Sequence, residues 1–362
     1  MGEHDLSAGG DVMDRVRGCA QDALAAYGGH PEASIELLNV SENATFLVSD
    51  PRAGPSVLRV HRLGYHTEQE IASELAWMDA LRAEAGVRTP RVLPAADGRR
   101  VVTVPERATG FTGSTRPTRP TGSTGSGPTE RHCVRFEFLP GAEPGSEPAG
   151  PGEEAALTSG HFSELGEITA RMHRHAKTWP RPAWFTRFHW DYDAAFGRQA
   201  RWGRWRDGIG VGPSERLILA RLDDVLAARL KAFGAGPERY GLVHADTRLA
   251  NLLVHDGSVS VIDFDDSGFS WYLYDLGTSV SFFEHAPEVP ALVDSWLEGY
   301  RQVGQLSAED EAEIWTFIMF RRLLLVAWIG SHRAVDIAVE LGAGYTQGSC
   351  DLAESYLSSQ RA

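Results

Sequence analysis

The sequence predicts an α+β fold in two parts: a small antiparallel β region with one helix, then a larger, mainly helical part. Three observations carry this expectation. Strand-like stretches at 35–39, 45–48 and 56–60 follow one another closely enough to pair as neighbours. One helix then opens at Thr67-Glu68-Gln69-Glu70, a capping box, with Ile71, Leu75 and Met78 at helical spacing behind it. Beyond residue 150 helical spacing takes over. It runs through Phe162, Leu165, Ile168, Thr169, Met172 and Ala176, and returns over 310–330 with Ile314, Phe317, Ile318, Leu324, Leu325 and Trp328 on one broad face.

Taken in order, residues 1–11 carry no pattern and are expected to be disordered, and Val12 to Tyr27 reads as a short helix stopped by Gly28-Gly29. The turn Val40-Ser41-Glu42-Asn43-Ala44 joins the first two strands, and a fourth strand is expected at 100–104. Ala108 to Pro128 consists almost wholly of Gly, Ser, Thr, Pro and Arg, a composition that cannot bury a core, and is expected to be a disordered insert. An extended segment follows at Val134 to Gly141. Residues 143–154, rich in Pro and Gly, form an expected connector. The domain organisation this gives is an extension with a short helix over 1–34, a small lobe over 35–139 and a large lobe over 140–362.

With 362 residues the chain is long enough for two such parts. Its net charge of −14 and the lack of a basic stripe argue against a nucleic-acid partner. An acidic surface suits a cationic substrate, and solubility accounts for it equally well. Lys177 and Lys231 are the only lysines among 35 basic residues, and neither sits in a Gly-Lys-Ser/Thr context, which excludes a Walker-type phosphate loop. The three cysteines have no paired spacing, so neither a disulfide framework nor a zinc site is expected. No basic and apolar leader opens the chain, and its longest apolar run, 317–329, is broken by Arg321 and Arg322. The expectation is a cytoplasmic protein with no membrane partner.

The chemistry concentrates between Leu242 and Asp275. Asp256-Gly257, flanked by two short apolar runs, marks a hairpin. Asp246 precedes Asn251, and Asp263 follows the hairpin. A carboxylate to take a hydroxyl proton, with an amide and a second carboxylate to share Mg²⁺, is the minimal set for phosphoryl transfer from ATP. Asp263-Phe264-Asp265 alone would also suit a glycosyltransferase metal site, and Asp-rich turns are often only solvated loops. The joint spacing favours phosphoryl transfer.

Here the chain resembles the phosphotransferase family that includes aminoglycoside phosphotransferases, homoserine and choline kinases and bacterial stress-response kinases. The family's His-x-Asp-x-x-x-x-Asn stands at His244, Asp246 and Asn251, and its Ile-Asp-Phe at Ile262, Asp263 and Phe264. Outside the insert, the resemblance covers residues 35 to 345. It implies a two-lobed protein-kinase-like fold with ATP between the lobes. It further implies that Asp246 orients and deprotonates the acceptor hydroxyl, that Asn251 and Asp263 hold Mg²⁺, and that His244 bonds the loop backbone. Arg248 would meet phosphate or an acidic substrate. Asp265 and Asp266 would assist the metal, contact a cationic substrate or, for Asp266, serve structure alone. Asp275 would support the fold, and His173 of Met172-His173 reads as a packed histidine.

In the small lobe the resemblance implies that Ser41 and Asn43 cover the ATP phosphates, and that the Glu137 carbonyl and Leu139 amide meet the adenine edge. Arg59 occupies the place of the family's phosphate-binding strand lysine, with Glu74 orienting it. That substitution is a departure, since a guanidinium is larger than an ammonium and forks onto its partner. Without a protein-kinase glycine loop or an Ala-Pro-Glu element, the expected acceptor is a hydroxyl-bearing small molecule: an amino alcohol, a hydroxy amino acid or an amino sugar. The alternatives are a protein Ser/Thr kinase of the stress-response type and a non-catalytic nucleotide-binding regulator. Nine of the ten tryptophans, all except Trp77, lie beyond residue 150. Among Trp190, Trp202, Trp205, Trp271, Trp296, Trp315 and Trp328, two or three are expected in a substrate pocket and the rest in the core.

Overall fold

The chain divides into two units, Met1–Leu75 with Pro90–Phe138 and Ala76–Thr89 with Leu139–Ala362. The structure, a computed structural model, describes residues 10–40, 43–106, 129–146, 157–333 and 335–360. Ser41, the 108–128 insert and residues 147–154 of the expected connector lie outside the described residues.

The first unit holds α1 (Gly10–Ala26), β1 (Ser34–Val40), β2 (Ala44–Asp50), β3 (Gly54–Val60), the first part of α2 (Glu68–Ala80), β4 (Val101–Pro105) and β5 (Glu130–Glu137). Its sheet runs β1-β2-β3-β5-β4, with every neighbouring pair antiparallel. Strand side chains alternate between faces, so Ala44, Phe46 and Val48 share one side. They join Leu58, Val60, Val102 and Val104 in a core with Val16, Ala20 and Leu24 of α1. The short N-terminal helix is thus part of this unit rather than an extension apart from it. Tyr27, just past α1, brings its hydroxyl within 2.8 Å of the Arg100 carbonyl and 2.9 Å of the Cys133 carbonyl. The expected capping box forms at the start of α2. Glu70 N donates to Thr67 Oγ1 at 3.2 Å and Thr67 N to Glu70 Oε2 at 2.8 Å, which satisfies amides that the first helical turn leaves open.

The second unit contains α3 (Ser159–Thr178), α4 (Tyr192–Phe196), α5 (Pro213–Phe233), β6 (Tyr240–Val243), β7 (Leu252–His255), β8 (Ser258–Val261), β9 (Gly268–Trp271), α6 (Leu273–Ser279), α7 (Val289–Arg301), α8 (Ala308–Glu311), α9 (Ile314–Ser331) and α10 (Asp336–Ser359). β6 pairs with β9, and β7 with β8, both antiparallel. At the β7–β8 turn Asp256 has φ 50° and Gly257 φ 72°. A type I′ hairpin needs both central residues in that region, and glycine enters it without steric cost.

The expectation of one helix over 310–330 with a single buried face is corrected in two respects. α8 and α9 are separate, and α9 is buried on every side, without a break from Thr316 to Ile329. The reason is packing: α5, α6, α10 and the turn at Trp205–Asp207 surround it. Ala308–Ser331 is the stretch among the described residues that is long and apolar enough to cross a membrane, and most of it is buried inside this unit. Trp190, Trp202, Trp205, Trp271, Trp296 and Trp328 are core residues, whereas Trp315 is exposed. All three cysteines are buried and none forms a disulfide. Burial pushes the Cys133 thiol well up, and that of Cys350 up to about 11.

α3 and α7 approach so closely that glycine is required on both. A Cβ on Gly299 would lie 1.7 Å from the Ser163 carbonyl oxygen, and one on Gly166 2.0 Å from that of Trp296. Backbone cannot yield as a side-chain tip can, so the helices must move apart. Gly299→Ala should therefore destabilise the protein by about 1–3 kcal/mol, a typical overpacking cost. In urea unfolding this would lower the midpoint at unchanged slope.

Candidate active site

At the end of β6 the chain turns through Ala245, whose φ of 69° lies in a region a non-glycine residue rarely adopts. Asp275 on α6 holds that turn. Its Oδ1 accepts from Ala245 N at 2.7 Å, and its Oδ2 from His244 N at 3.2 Å. Oδ2 also accepts from His173 Nε2 at 2.8 Å, and His173 Nδ1 then accepts a hydrogen bond from the Tyr300 hydroxyl at 3.1 Å. Burial lowers the His173 imidazole below its usual range despite the pull of Asp275, and it raises the Tyr300 phenol. His173 is a packed residue. His244 ties the loop to itself, its Nε2 donating to the Ile262 carbonyl at 3.1 Å and its Nδ1 accepting from Asp246 N at 3.2 Å. The Phe264 ring packs on His244 at 4.4 Å and on Trp77 at 5.6 Å.

This framework presents Asp246, whose side chain is 13% exposed. Asn251 donates from Nδ2 to Asp246 Oδ2 at 2.6 Å and to the Asp246 carbonyl at 2.9 Å. Arg248 Nε reaches the same Oδ2 at 3.3 Å. Ile262 N donates to the Asn251 carbonyl at 2.9 Å, which brings the residue before Asp263 against Asn251. Asp263 itself has φ 59° and enters the short turn Phe264–Asp266. The fold thus gathers Asp246, Arg248, Asn251 and Asp263 around one loop and one hairpin. Among the described residues no group of three or more His, Cys, Asp or Glu side chains converges as a metal site. An amide oxygen and a carboxylate are nonetheless the hard donors that Mg²⁺ takes when phosphate oxygens and water complete its shell. With Nδ2 committed to Asp246, the Oδ1 of Asn251 is the side chain's remaining donor to a cation. The turn after Asp263 is gripped by its backbone. Arg187 bonds the carbonyls of Asp265 and, at 2.5 Å, Ser267, while Trp190 Nε1 donates to the Asp266 carbonyl at 2.8 Å.

One residue against Asp246 stands in the sequence only as a break in an apolar run. Arg321, in the middle of α9 and only 2% exposed, donates from Nη2 to Asp246 Oδ1 at 2.5 Å. Its Nε donates to Ser281 Oγ at 3.0 Å and its Nη1 to the Tyr274 hydroxyl at 3.1 Å. Burial alone would raise the Asp246 carboxyl. The charges of Arg321 and Arg248 outweigh it and hold the group below the usual carboxylate range. The available signal was an arginine pair in an otherwise apolar helix, since arginine is almost never fully buried unless paired.

In the first unit, Arg59 on β3 is 5% exposed and donates from Nη2 to the fully buried Glu74 Oε1 at 2.6 Å. Its guanidinium also lies over the Phe136 ring at 5.1 Å. The strand register and the α2 capping box bring these two residues together. Asn43 Oδ1 accepts from Arg62 N at 3.1 Å, so this oxygen braces the end of β3. Glu137 exchanges bonds with Arg91: its N donates to the Arg91 carbonyl at 2.9 Å, and its Oε1 accepts from Arg91 N at 2.9 Å. Leu139 is half-buried and opens the main segment of the second unit.

The sequence matches the phosphotransferase enzyme family over residues 35–314. A solved structure described as the microcompartment-associated aminopropanol kinase is 47% identical, with a TM-score of 0.80 over 95% of this chain and 98% of that one. Amicoumacin kinase of Bacillus subtilis (strain 168) is 23% identical over 327 residues, which is 87% of this chain and 84% of the relative. An amicoumacin kinase solved in complex with AMP-PNP, Ca²⁺ and Ami is 22% identical, with a TM-score of 0.71 over 94% of this chain and 95% of that one, a likeness of fold.

The Arg59–Glu74 pair should behave as one unit. Removing either partner leaves the other charge buried and uncompensated, at a cost of about 3–5 kcal/mol. Arg59→Ala and Glu74→Ala should each lower the denaturation midpoint and kcat/KM for ATP, with the double variant little worse than the poorer single one. Additive losses in both readouts would show that the two residues act separately.

Proposed function

This chain belongs to the phosphotransferase enzyme family, and on that premise we propose that its acceptor is a small amino alcohol and its metal Mg²⁺. It is an ATP-dependent phosphotransferase acting on small molecules. The amino-alcohol reading is supported by the 47% identity to the structure described as an aminopropanol kinase. These likenesses favour neither a protein kinase nor a non-catalytic regulator.

The observation that carries the mechanism is the convergence on Asp246, with Asn251 against its carboxylate and Asp263 delivered beside Asn251. Asp246, held below the usual carboxylate range, is ionised at neutral pH and is a weak base. It therefore accepts a hydrogen bond from the acceptor hydroxyl, aims the oxygen at the γ-phosphorus and takes the proton late. As the new oxygen–phosphorus bond forms, the bond to the β–γ bridging oxygen breaks, and ADP leaves with that electron pair. Asn251 and Asp263 would hold Mg²⁺, which would supply positive charge against that developing on the phosphate oxygens. Arg248, partly exposed beside Asp246, contacts phosphate or acceptor. In the first unit Arg59, oriented by Glu74, contributes the charge that meets the nucleotide, joined by Ser41, Asn43 and the Glu137 carbonyl.

The acceptor is tested by supplying ATP, Mg²⁺ and one hydroxyl compound at a time, with mass detection of added phosphate. Aminopropanol should be phosphorylated, and propanol, which lacks the amine, at least about tenfold less efficiently, because an unmet ammonium site forfeits a charge-assisted contact. Phosphate on an amino sugar and not on any amino alcohol would overturn the acceptor.

The site assignments are tested by two variants. Asp246→Asn should lower kcat by about 10²-fold or more with ATP affinity nearly intact, whereas Asp263→Ala should also weaken Mg-ATP binding by calorimetry. Wild-type-like turnover of the first, or unchanged Mg-ATP affinity of the second, would reject the corresponding role.

A further inference from the structure

We propose that Arg321 is a positioning residue for phosphoryl transfer: by holding Asp246 Oδ1 it fixes the carboxylate plane so that the Oδ2 edge meets the acceptor hydroxyl. This rests on Asp246 being the group that receives the hydroxyl proton. Each guanidinium nitrogen of Arg321 has its own anchor, Nε on Ser281 Oγ, Nη1 on the Tyr274 hydroxyl and Nη2 on Asp246 Oδ1. The Trp202 ring lies 5.2 Å from the guanidinium carbon. The anchors are themselves fixed, since Ser281 Oγ donates to the Thr278 carbonyl at 2.7 Å and Tyr274 is fully buried in α6. A planar fork held at three points transmits its orientation to the carboxylate it grips.

The two oxygens of Asp246 are held differently. Oδ1 is gripped by a side chain 2% exposed. Oδ2 takes the short bond from Asn251 and the longer 3.3 Å contact from Arg248, whose side chain is 22% exposed. The Arg248 contact is the one that can open, and the lone pair it releases is the one an incoming hydroxyl finds. Stability alone does not account for Arg321. A buried ion pair can often be exchanged for apolar residues without loss, and apolar residues are what surround it on α9. Nor is Arg321 one half of an arginine cluster. Successive helical residues point about 100° apart, and Arg322 turns to Glu284, Ser349 and the Tyr345 carbonyl.

The test uses the full chain with ATP and aminopropanol as acceptor, comparing Arg321→Lys, Arg321→Met and Asp246→Asn, singly and combined. Lysine keeps the charge and loses the fork. Arg321→Lys should lower kcat about tenfold or more, and Arg321→Met further, with KM for ATP within about twofold of wild type, because misplacement of a reacting group is read in kcat. Added to Asp246→Asn, Arg321→Lys should cost at most about a further twofold. A wild-type kcat in Arg321→Lys, a loss confined to KM for ATP, or losses that multiply in full in the double variant would each overturn the proposal. If neither Arg321 variant folds, Tyr274→Phe and Ser281→Ala loosen the guanidinium while keeping its charge. Each should reduce kcat several-fold at steady KM, and unchanged kcat in both would overturn it. Wild-type-like turnover in Asp246→Asn alone would instead reject Asp246 as the proton acceptor, and the positioning role with it.

Discussion

A buried turn in a left-handed conformation has backbone amides that neither strand nor helix can satisfy, and the site depends on Asp275 satisfying them. By accepting from His244 N and Ala245 N it makes the φ of Ala245 tenable, and with it the direction in which Asp246 leaves β6. The rest of α6 extends this role. Thr278, one helical turn on, accepts from Thr247 N at 2.9 Å, and Tyr274 accepts from Arg321. One short helix therefore supports both the backbone of the loop and the arginine against its carboxylate.

Much of this was legible because it is local. The hairpin followed from Asp256-Gly257, and the gathering of Asp246, Asn251 and Asp263 followed from a loop and a hairpin too short to separate them. The nearness of Arg59 to Glu74 was implied by the family resemblance alone, since no local pattern pairs a strand residue with one on the following helix. α9 was not legible. Hydrophobic periodicity reports a contrast between helix faces, and a helix buried on all sides has none. Its two arginines were read as interruptions of an apolar run, while the carboxylate that explains Arg321 lies 75 residues away in sequence. Nor does any local pattern announce Arg187, whose partners are backbone carbonyls. The helical periodicity of α1 showed a helix and not the sheet that it covers.

Arginine in place of the family's strand lysine is one instance of a habit of the whole chain. Arg59 meets Glu74, Arg229 meets Glu313, Arg321 meets Asp246 and Arg322 meets Glu284, all wholly or largely buried. An ammonium is a strongly hydrated point charge, costly to strip of water. A guanidinium spreads its charge and aims donors in fixed directions, so it can serve several anchors at once. With two lysines in 362 residues, the chain uses the ion that buries most readily and tolerates least rotation.

The placement of Cys19, Cys133 and Cys350 has a chemical consequence of its own. Nucleophilic sulfur is thiolate, and burial keeps Cys133 and Cys350 protonated, while all three thiols lie out of reach of solvent. Peroxide and glutathione disulfide therefore have little to attack. A single cysteine introduced on the protein's surface would be the one sulfur an alkylating dye could find.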